Sequence, residues 1–470
     1  MNTPVINAWK NLDEGTKSEI FPILVTRNDI DAMRIVIEIY KYNVNHIDFS
    51  GDTALHVAAV HSSPNTVAFL LPYVEDANII NLSRETPLSI ATVRGDAEIF
   101  ALIATKLASP GSNPQIELHS NTHVNANGRT LLMLAVSDRP RHHEQKKQST
   151  DVIKLLLDAK FDPYVRDNQG RTALHYAAAA SKIGADDATL MLLNAVPRNT
   201  LVHMKDIDRN TALHIASGCF IPLCYSEWLP EKIPILLEYG ARESDTNLKG
   251  ETPLHRAVRE GPSEFVKLLC DRRADCMDRD TMGRAPMHAA IELLPSNIYD
   301  GEKISETLHI LDTLMRTWIP SHTLSRVNSK DHDGRTLLIF SCEQRNRLVS
   351  MKLLNIPDID VNAVAVNGTT ALHECVRHGW DEVVQRLIFL KVEIHVDDGN
   401  GETALELAER LRLVAENRDM DICAAVLRVR HEESKQRNLA FFMSQHKRLG
   451  AGSDAMCFAM ETVDQIAKYI

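Results

Sequence analysis

The sequence predicts an all-α fold, a solenoid of helix–turn–helix repeats sharing one continuous core. Three observations carry that prediction. A four-residue phrase recurs ten times, from Thr53-Ala54-Leu55-His56 to Thr403-Ala404-Leu405-Glu406. Glycine stands two residues before the phrase in eight of the ten copies. A leucine pair, such as Leu155-Leu156 or Leu268-Leu269, follows about twenty residues later in several copies.

The composition agrees. A chain of 470 residues exceeds a comfortable single domain, so several domains or one long array must be expected. Apolar residues at 44 % and charged residues at 24 % exclude wholesale disorder, and 5 % aromatics argue against a many-stranded sandwich.

The intervening copies are Thr86-Pro87-Leu88-Ser89, Thr130-Leu131-Leu132-Met133, Thr172-Ala173-Leu174-His175, Thr211-Ala212-Leu213-His214 and Thr252-Pro253-Leu254-His255. Ala285-Pro286-Met287-His288, Thr336-Leu337-Leu338-Ile339 and Thr370-Ala371-Leu372-His373 complete the set. Successive copies lie 33, 44, 42, 39, 41, 33, 51, 34 and 33 residues apart, a 33-residue period lengthened by inserted segments. Each residue of the phrase has a physical task. Glycine suits a turn that needs a positive φ just before a helix, with Arg84 and Arg209 as the two exceptions. Threonine offers a hydroxyl to the unpaired N–H groups of the helix start, and proline fits the first helical position. Small residues such as Ala58-Ala59, Ala177-Ala178 and Ala289-Ala290 let a neighbouring helix come close. The leucine pair marks the apolar stripe of a second helix.

This pattern resembles the ankyrin repeat, a turn and two antiparallel helices in about 33 residues with the phrase T-P-L-H-x-A. The resemblance implies a degenerate capping repeat over 1–44, an array over 45–432 and a helical tail or cap over 433–470. Insertions fall near 108–121, 138–150, 218–231 and 294–306. One helix pair cannot bury enough surface to fold alone, so the array is expected to fold by stacking. The six phrase histidines (His56, His175, His214, His255, His288, His373) then read as ties between adjacent turns rather than as a metal or catalytic array.

Candidate binding residues are those the scaffold does not require. Phe220, Tyr225 and Trp228 crowd one insertion of an aromatic-poor chain and form the best candidate hot spot. Turn-tip residues that vary between repeats, among them Phe49, Gln169, Lys249, Met282 and Asp333, would present a changing surface to a protein or extended peptide. Asn362, eight residues after Leu354 in the connection to the ninth repeat, resembles the context recognised by the asparaginyl hydroxylase that acts on ankyrin repeats. The ending Glu461–Ile470 faintly resembles the first helix of an F-box, the segment that engages a ubiquitin-ligase adaptor. It lacks the usual Leu-Pro opening.

Other function classes find no support. The chain contains no G-x-x-x-x-G-K-[ST], no H-E-x-x-H and no G-x-S-x-G, so no enzyme and no cofactor are expected. Cys219-x4-Cys224 has no matching second pair, which argues against a metal site. A formal net charge of −11 makes nucleic acid an unfavourable partner. No run approaches eighteen apolar residues, and the N-terminus shows no basic-then-apolar leader, so neither a membrane span nor a secretory signal is expected. Eight scattered cysteines then suggest reduced thiols in the cytoplasm or nucleus.

Overall fold

Every copy of the phrase opens a short helix at its second residue. The computed structural model describes residues 12, 14–61, 63–108, 125, 127–137, 146–180, 185–218, 231–294, 301–318, 327–415 and 418–448. Contacts divide the chain into two compact units, Met1–Ala274 and Asp275–Ile470.

In the first unit the helices are α1 (Glu14–Thr26), α2 (Ile30–Glu38), α3 (Ala54–His61), α4 (Pro64–Leu70), α5 (Pro87–Arg94), α6 (Ala97–Leu107) and α7 (Leu131–Val136). They continue as α8 (Lys146–Asp158), α9 (Ala173–Ala179), α10 (Ala185–Asn194), α11 (Ala212–Ser217), α12 (Lys232–Glu238), α13 (Pro253–Glu260) and α14 (Ser263–Asp271). The odd-numbered helices pack in succession from α1 to α13, and the even-numbered ones from α4 to α12. In the second unit α15 (Pro286–Leu293), α17 (Leu337–Glu343), α19 (Ala371–Arg377) and α21 (Ala404–Ala415) pack in succession. Behind them stand α16 (Gly301–Trp318), α18 (Arg347–Leu353), α20 (Asp381–Phe389) and the 31-residue α22 (Arg418–Arg448). Among the described residues the β structure amounts to two isolated bridges, Val364–Thr370 and Asp397–Thr403.

Most of the first helices span only six to eight residues, too few to persist in isolation. Two things hold them. Threonine hydroxyls cap several of the starts, with Thr86 Oγ1 accepting the Ser89 N–H at 3.1 Å and Thr130 Oγ1 accepting that of Met133 at 3.3 Å. The rest is burial. Leu55, Leu88, Leu132, Leu174, Leu213 and Leu254 of the phrase are all buried, and Ala58, Ala59, Ala177 and Ala257 leave no gap between successive first helices. Of each leucine pair at least one member enters the core. Leu156, Leu236 and Leu269 are fully buried, whereas Leu155 is exposed.

The ends follow the same logic. In α1 and α2, Phe21, Leu24, Val25, Met33, Val36 and Ile37 are buried while Ile23 faces solvent. At the other end α22 runs unbroken through residues 432 and 433, with no Gly or Pro between 418 and 448 to stop it. Helices α8 and α16 begin within the segments read as insertions, at Lys146 and Gly301.

Candidate interaction surface

The turns preceding the first helices are built alike from their side chains upward. In every turn but the ninth, where Ala365 stands, an Asp or Asn three residues before the left-handed residue folds its carboxylate or amide oxygen back over the turn. Asp48 Oδ1 accepts the N–H groups of Ser50 and Asp52, both at 2.8 Å. Asp167, Asn247, Asp280, Asp331 and Asp398 repeat the arrangement. The eight glycines of the motif all have φ between 70° and 79°. Arg84 and Arg209 occupy the same left-handed conformation at 57° and 61°, so the turn shape survives where the glycine is missing.

Neighbouring turns are joined tip to tip. In the first unit the Leu82 N–H donates to Ser50 O at 3.0 Å, that of Asn168 to Asn127 O at 3.2 Å, that of Ile207 to Gln169 O at 3.0 Å and that of Leu248 to Asp208 O at 2.8 Å. In the second unit His332 donates to Met282 O at 3.1 Å and Val366 to Asp333 O at 2.8 Å. These bonds hold the first two tips together, the third to the sixth together and, in the second unit, the seventh to the ninth, and the tips carry large apolar side chains into solvent. Phe49 is 89 % exposed, Leu82 79 % and Val366 79 %, and Ile207, Leu248 and Met282 are also exposed. On the first two turns Ile47 and Ile80 lie exposed two residues before Phe49 and Leu82, making a patch of four.

Behind the tips the histidines make the ties expected of them. His56 Nδ1 accepts the Thr53 N–H at 3.1 Å and lies 2.9 Å from its hydroxyl, while Nε2 reaches Glu85 O of the next repeat at 3.1 Å. His175 reaches Asn210 O, His214 reaches Glu251 O and His373 reaches Glu402 O in the same way. A backbone N–H on Nδ1 requires the ring proton on Nε2, so these rings are neutral donors to the next turn. His288 keeps the first half of the tie, accepting the Ala285 N–H at 3.0 Å, but among the described residues its buried Nε2 has no hydrogen-bond partner. It packs edge-on to Phe340 instead, at 4.9 Å. Burial lowers all of these rings, His214 and His288 to about 4.

Beside four of the first helices charge is neutralised within the repeat, whereas Arg171 reaches Asp206 of the next turn at 3.9 Å. The residue before the phrase pairs with the one eight positions on: Glu251 with Arg259, Arg284 with Glu292, Arg335 with Glu343 and Glu402 with Arg410. Burial alone would raise the Glu251 carboxyl, but Asn247 and Arg259 outweigh it and hold it below its ordinary value. In the ninth repeat Thr369 takes the charged position, and Arg377 turns to Glu374, whose carboxyl burial pushes up.

Of the residues singled out from sequence, Phe49, Gln169, Lys249, Met282 and Asp333 are all exposed at turn tips, and Asp333 Oδ2 is engaged by Arg335 at 2.7 Å. Phe220, Tyr225 and Trp228 lie outside the described residues, as do the segment 109–124 and the ending 449–470. Asn362 is half-buried, with Oδ1 accepting the Glu393 N–H at 2.8 Å. Asn45 and Asn328 bridge to Glu75 and Asp360 in the same way, so a scaffold role accounts for this amide. Sequence reasoning missed Leu82, Ile207 and Val366, although each sits two residues before the left-handed turn residue, where Phe49 had been noticed. The five described cysteines, Cys270, Cys276, Cys342, Cys375 and Cys423, are buried, and the sulfurs of Cys342 and Cys375 lie 3.4 Å apart. Among the described residues no helix is long and apolar enough to cross a membrane.

Comparison with known proteins gives one family. The model described as ankyrin repeats (3 copies) matches residues 22–117, 112–200, 178–280, 223–300 and 305–398. Similar proteins include the E3 ubiquitin-protein ligase KEG of Arabidopsis thaliana, 22 % identical over 71 % of this chain and 16 % of that protein. NF-kappa-B inhibitor zeta of Bos taurus is 27 % identical over 47 % of this chain and 32 % of its own length. The B-cell lymphoma 3 protein homolog of Mus musculus is 25 % identical over 52 % and 49 % respectively. The chain therefore spans less than half the length of each of these relatives. Among solved structures, the ankyrin repeat domain of Bcl-3 aligns with a TM-score of 0.38 and 20 % identity, over 50 % of this chain and 91 % of that one.

Proposed function

The chain belongs to the ankyrin-repeat family, and from that premise we propose that it is a non-catalytic binding protein acting in the cytoplasm or nucleus. A protein or extended peptide would lie along the turn tips, making contacts with Phe49, Gln169, Lys249, Met282 and Asp333. The single observation that supports this is the set of apolar side chains held in solvent by turn-to-turn hydrogen bonds. Large exposed apolar groups on a rigid support lose little entropy on binding, and their burial favours association. Phe220, Tyr225 and Trp228 would add aromatic anchors from their insertion. Asn362 is proposed as a hydroxylation target, an idea removed if peptide mass analysis of natively expressed protein shows no added oxygen there.

The test is affinity capture from native lysate with the intact chain and with a Phe49→Asp, Leu82→Asp, Leu248→Asp variant. Loss of the recovered partner in the variant supports the reading, and an unchanged partner set overturns it. Similarity to a ubiquitin ligase over 71 % of the chain favours a second reading, a substrate-recognition adaptor recruited through the C-terminal tail. A chain ending at Arg448 keeps α22 whole. If it recovers ligase components as well as the full chain does, that second reading fails.

A further inference from the structure

The last helix departs in charge from the rest of the chain. Against a formal net charge of −11 overall, residues 428–448 hold six Lys or Arg and two Asp or Glu. Because α22 is far longer than the second helices before it, residues 430–437 pass the segment 392–396 that leads into the tenth turn. Between them lies a cleft of about 360 Å³ lined by Arg430, Ser434, Arg437 and His395, with Glu393 the one acidic residue on its wall. The two guanidiniums share a single carboxylate oxygen. Arg430 Nη1 lies 3.1 Å and Arg437 Nη2 3.7 Å from Glu433 Oε2. His431 stands 5.0 Å from His395, ring to ring. Burial first, then Lys435 and His395, hold the His431 ring below its ordinary value.

We propose that this cleft binds a phosphate monoester dianion between the guanidiniums of Arg430 and Arg437, with the Ser434 hydroxyl and the His395 ring as further donors. Both guanidiniums face the same cleft, and the planar fork of arginine matches phosphate oxygens two at a time, so a dianion there competes with Glu433 on the arginines and with Glu393 on the wall. A dianion satisfies both forks where Glu433 serves them with one oxygen. The proposal does not depend on the turn tips or on any macromolecular partner, since a small probe suffices to test it.

The experiment is a titration of histidine-ring-labelled full-length protein with inorganic phosphate and, separately, with a short phosphoserine peptide, followed by NMR at constant ionic strength. The His395 and His431 resonances shift saturably, while His175 in the first unit stays still and reports an intact fold. Arg430→Gln or Arg437→Gln weakens binding about tenfold or more, the effect of losing one charged hydrogen-bonded pair. Glu433→Gln tightens it, a gain that a merely structural carboxylate would not produce. Tighter binding of the peptide assigns the dianion to a phosphorylated side chain, and tighter binding of free phosphate assigns it to a small molecule. The absence of saturation by either probe at tens of millimolar overturns the site. Equal affinity in the R430Q/R437Q double variant does so as well.

Discussion

Acidification is the sharpest test of the histidine ties. In each tie the Thr or Ala backbone N–H points at Nδ1, so a second ring proton would face another donor where water is excluded. The free histidine value is 6.5, and in the folded chain His214 and His288 fall to about 4. The sign follows directly. A folded value below the unfolded one means that the folded form binds fewer protons, so stability is full above pH 6.5 and drains as pH falls toward 4. At about pH 5 each of these two rings has lost about 2 kcal/mol relative to neutral pH, about 4 kcal/mol together. His56, His175 and His373 shift in the same direction and add to the loss. NMR of ring-labelled protein gives the titrations, and amide exchange in α11 and α15 at each pH gives the local stability. A His214 or His288 ring that titrates at its ordinary value while those amides stay protected would refute the argument.

Three further outcomes are expected. Arg259→Ala strands the Glu251 carboxylate, whose side chain is 2 % exposed, and lowers stability by about 2 kcal/mol in urea unfolding. The exposed Glu402–Arg410 pair contributes little, so Arg410→Ala leaves the midpoint unchanged; equal losses for the two variants would show that burial is not what matters. Arg209→Gly relieves a left-handed non-glycine residue and stabilises by about 1 kcal/mol. Gly334→Val does the reverse, because φ is 72° and a Cβ would stand 2.8 Å from Val366 N, and it costs about 2 kcal/mol or more. At the tips, Phe49→Asp and Leu82→Asp change melting stability by less than about 0.5 kcal/mol, since neither side chain is buried; a larger loss means that the patch is structural.

The repeat register was legible from the chain because its determinants are local. A threonine cap, a proline at the first helical position and a left-handed glycine act within a few residues, and each of the ten phrases opens a helix where they place it. The same spacing led to the histidine ties. What spacing could not show was exposure. Leu82, Ile207 and Val366 look like core residues by composition, and only the folded turn turns them outward. That the Nε2 of His288 has no partner among the described residues was equally hidden, because the acceptor in the other ties comes from the next repeat, here beyond a 51-residue spacing. The cleft beside α22 depends on how far that helix runs past a loop some forty residues earlier in the chain.

The histidine ties also give the array a direction. His56, His175, His214 and His373 each donate forward, to a carbonyl of the repeat that follows. Trimming repeats from the front therefore leaves every remaining tie complete. Trimming from the back strips the last ring of its acceptor and wets it, and its proton affinity rises toward that of free histidine. A chain cut after the ninth repeat would fray at that end near neutral pH through His373, whereas a chain cut before Thr86 would gain no such proton-sensitive end. Matched truncations compared by amide exchange at two pH values would read that vectorial character directly.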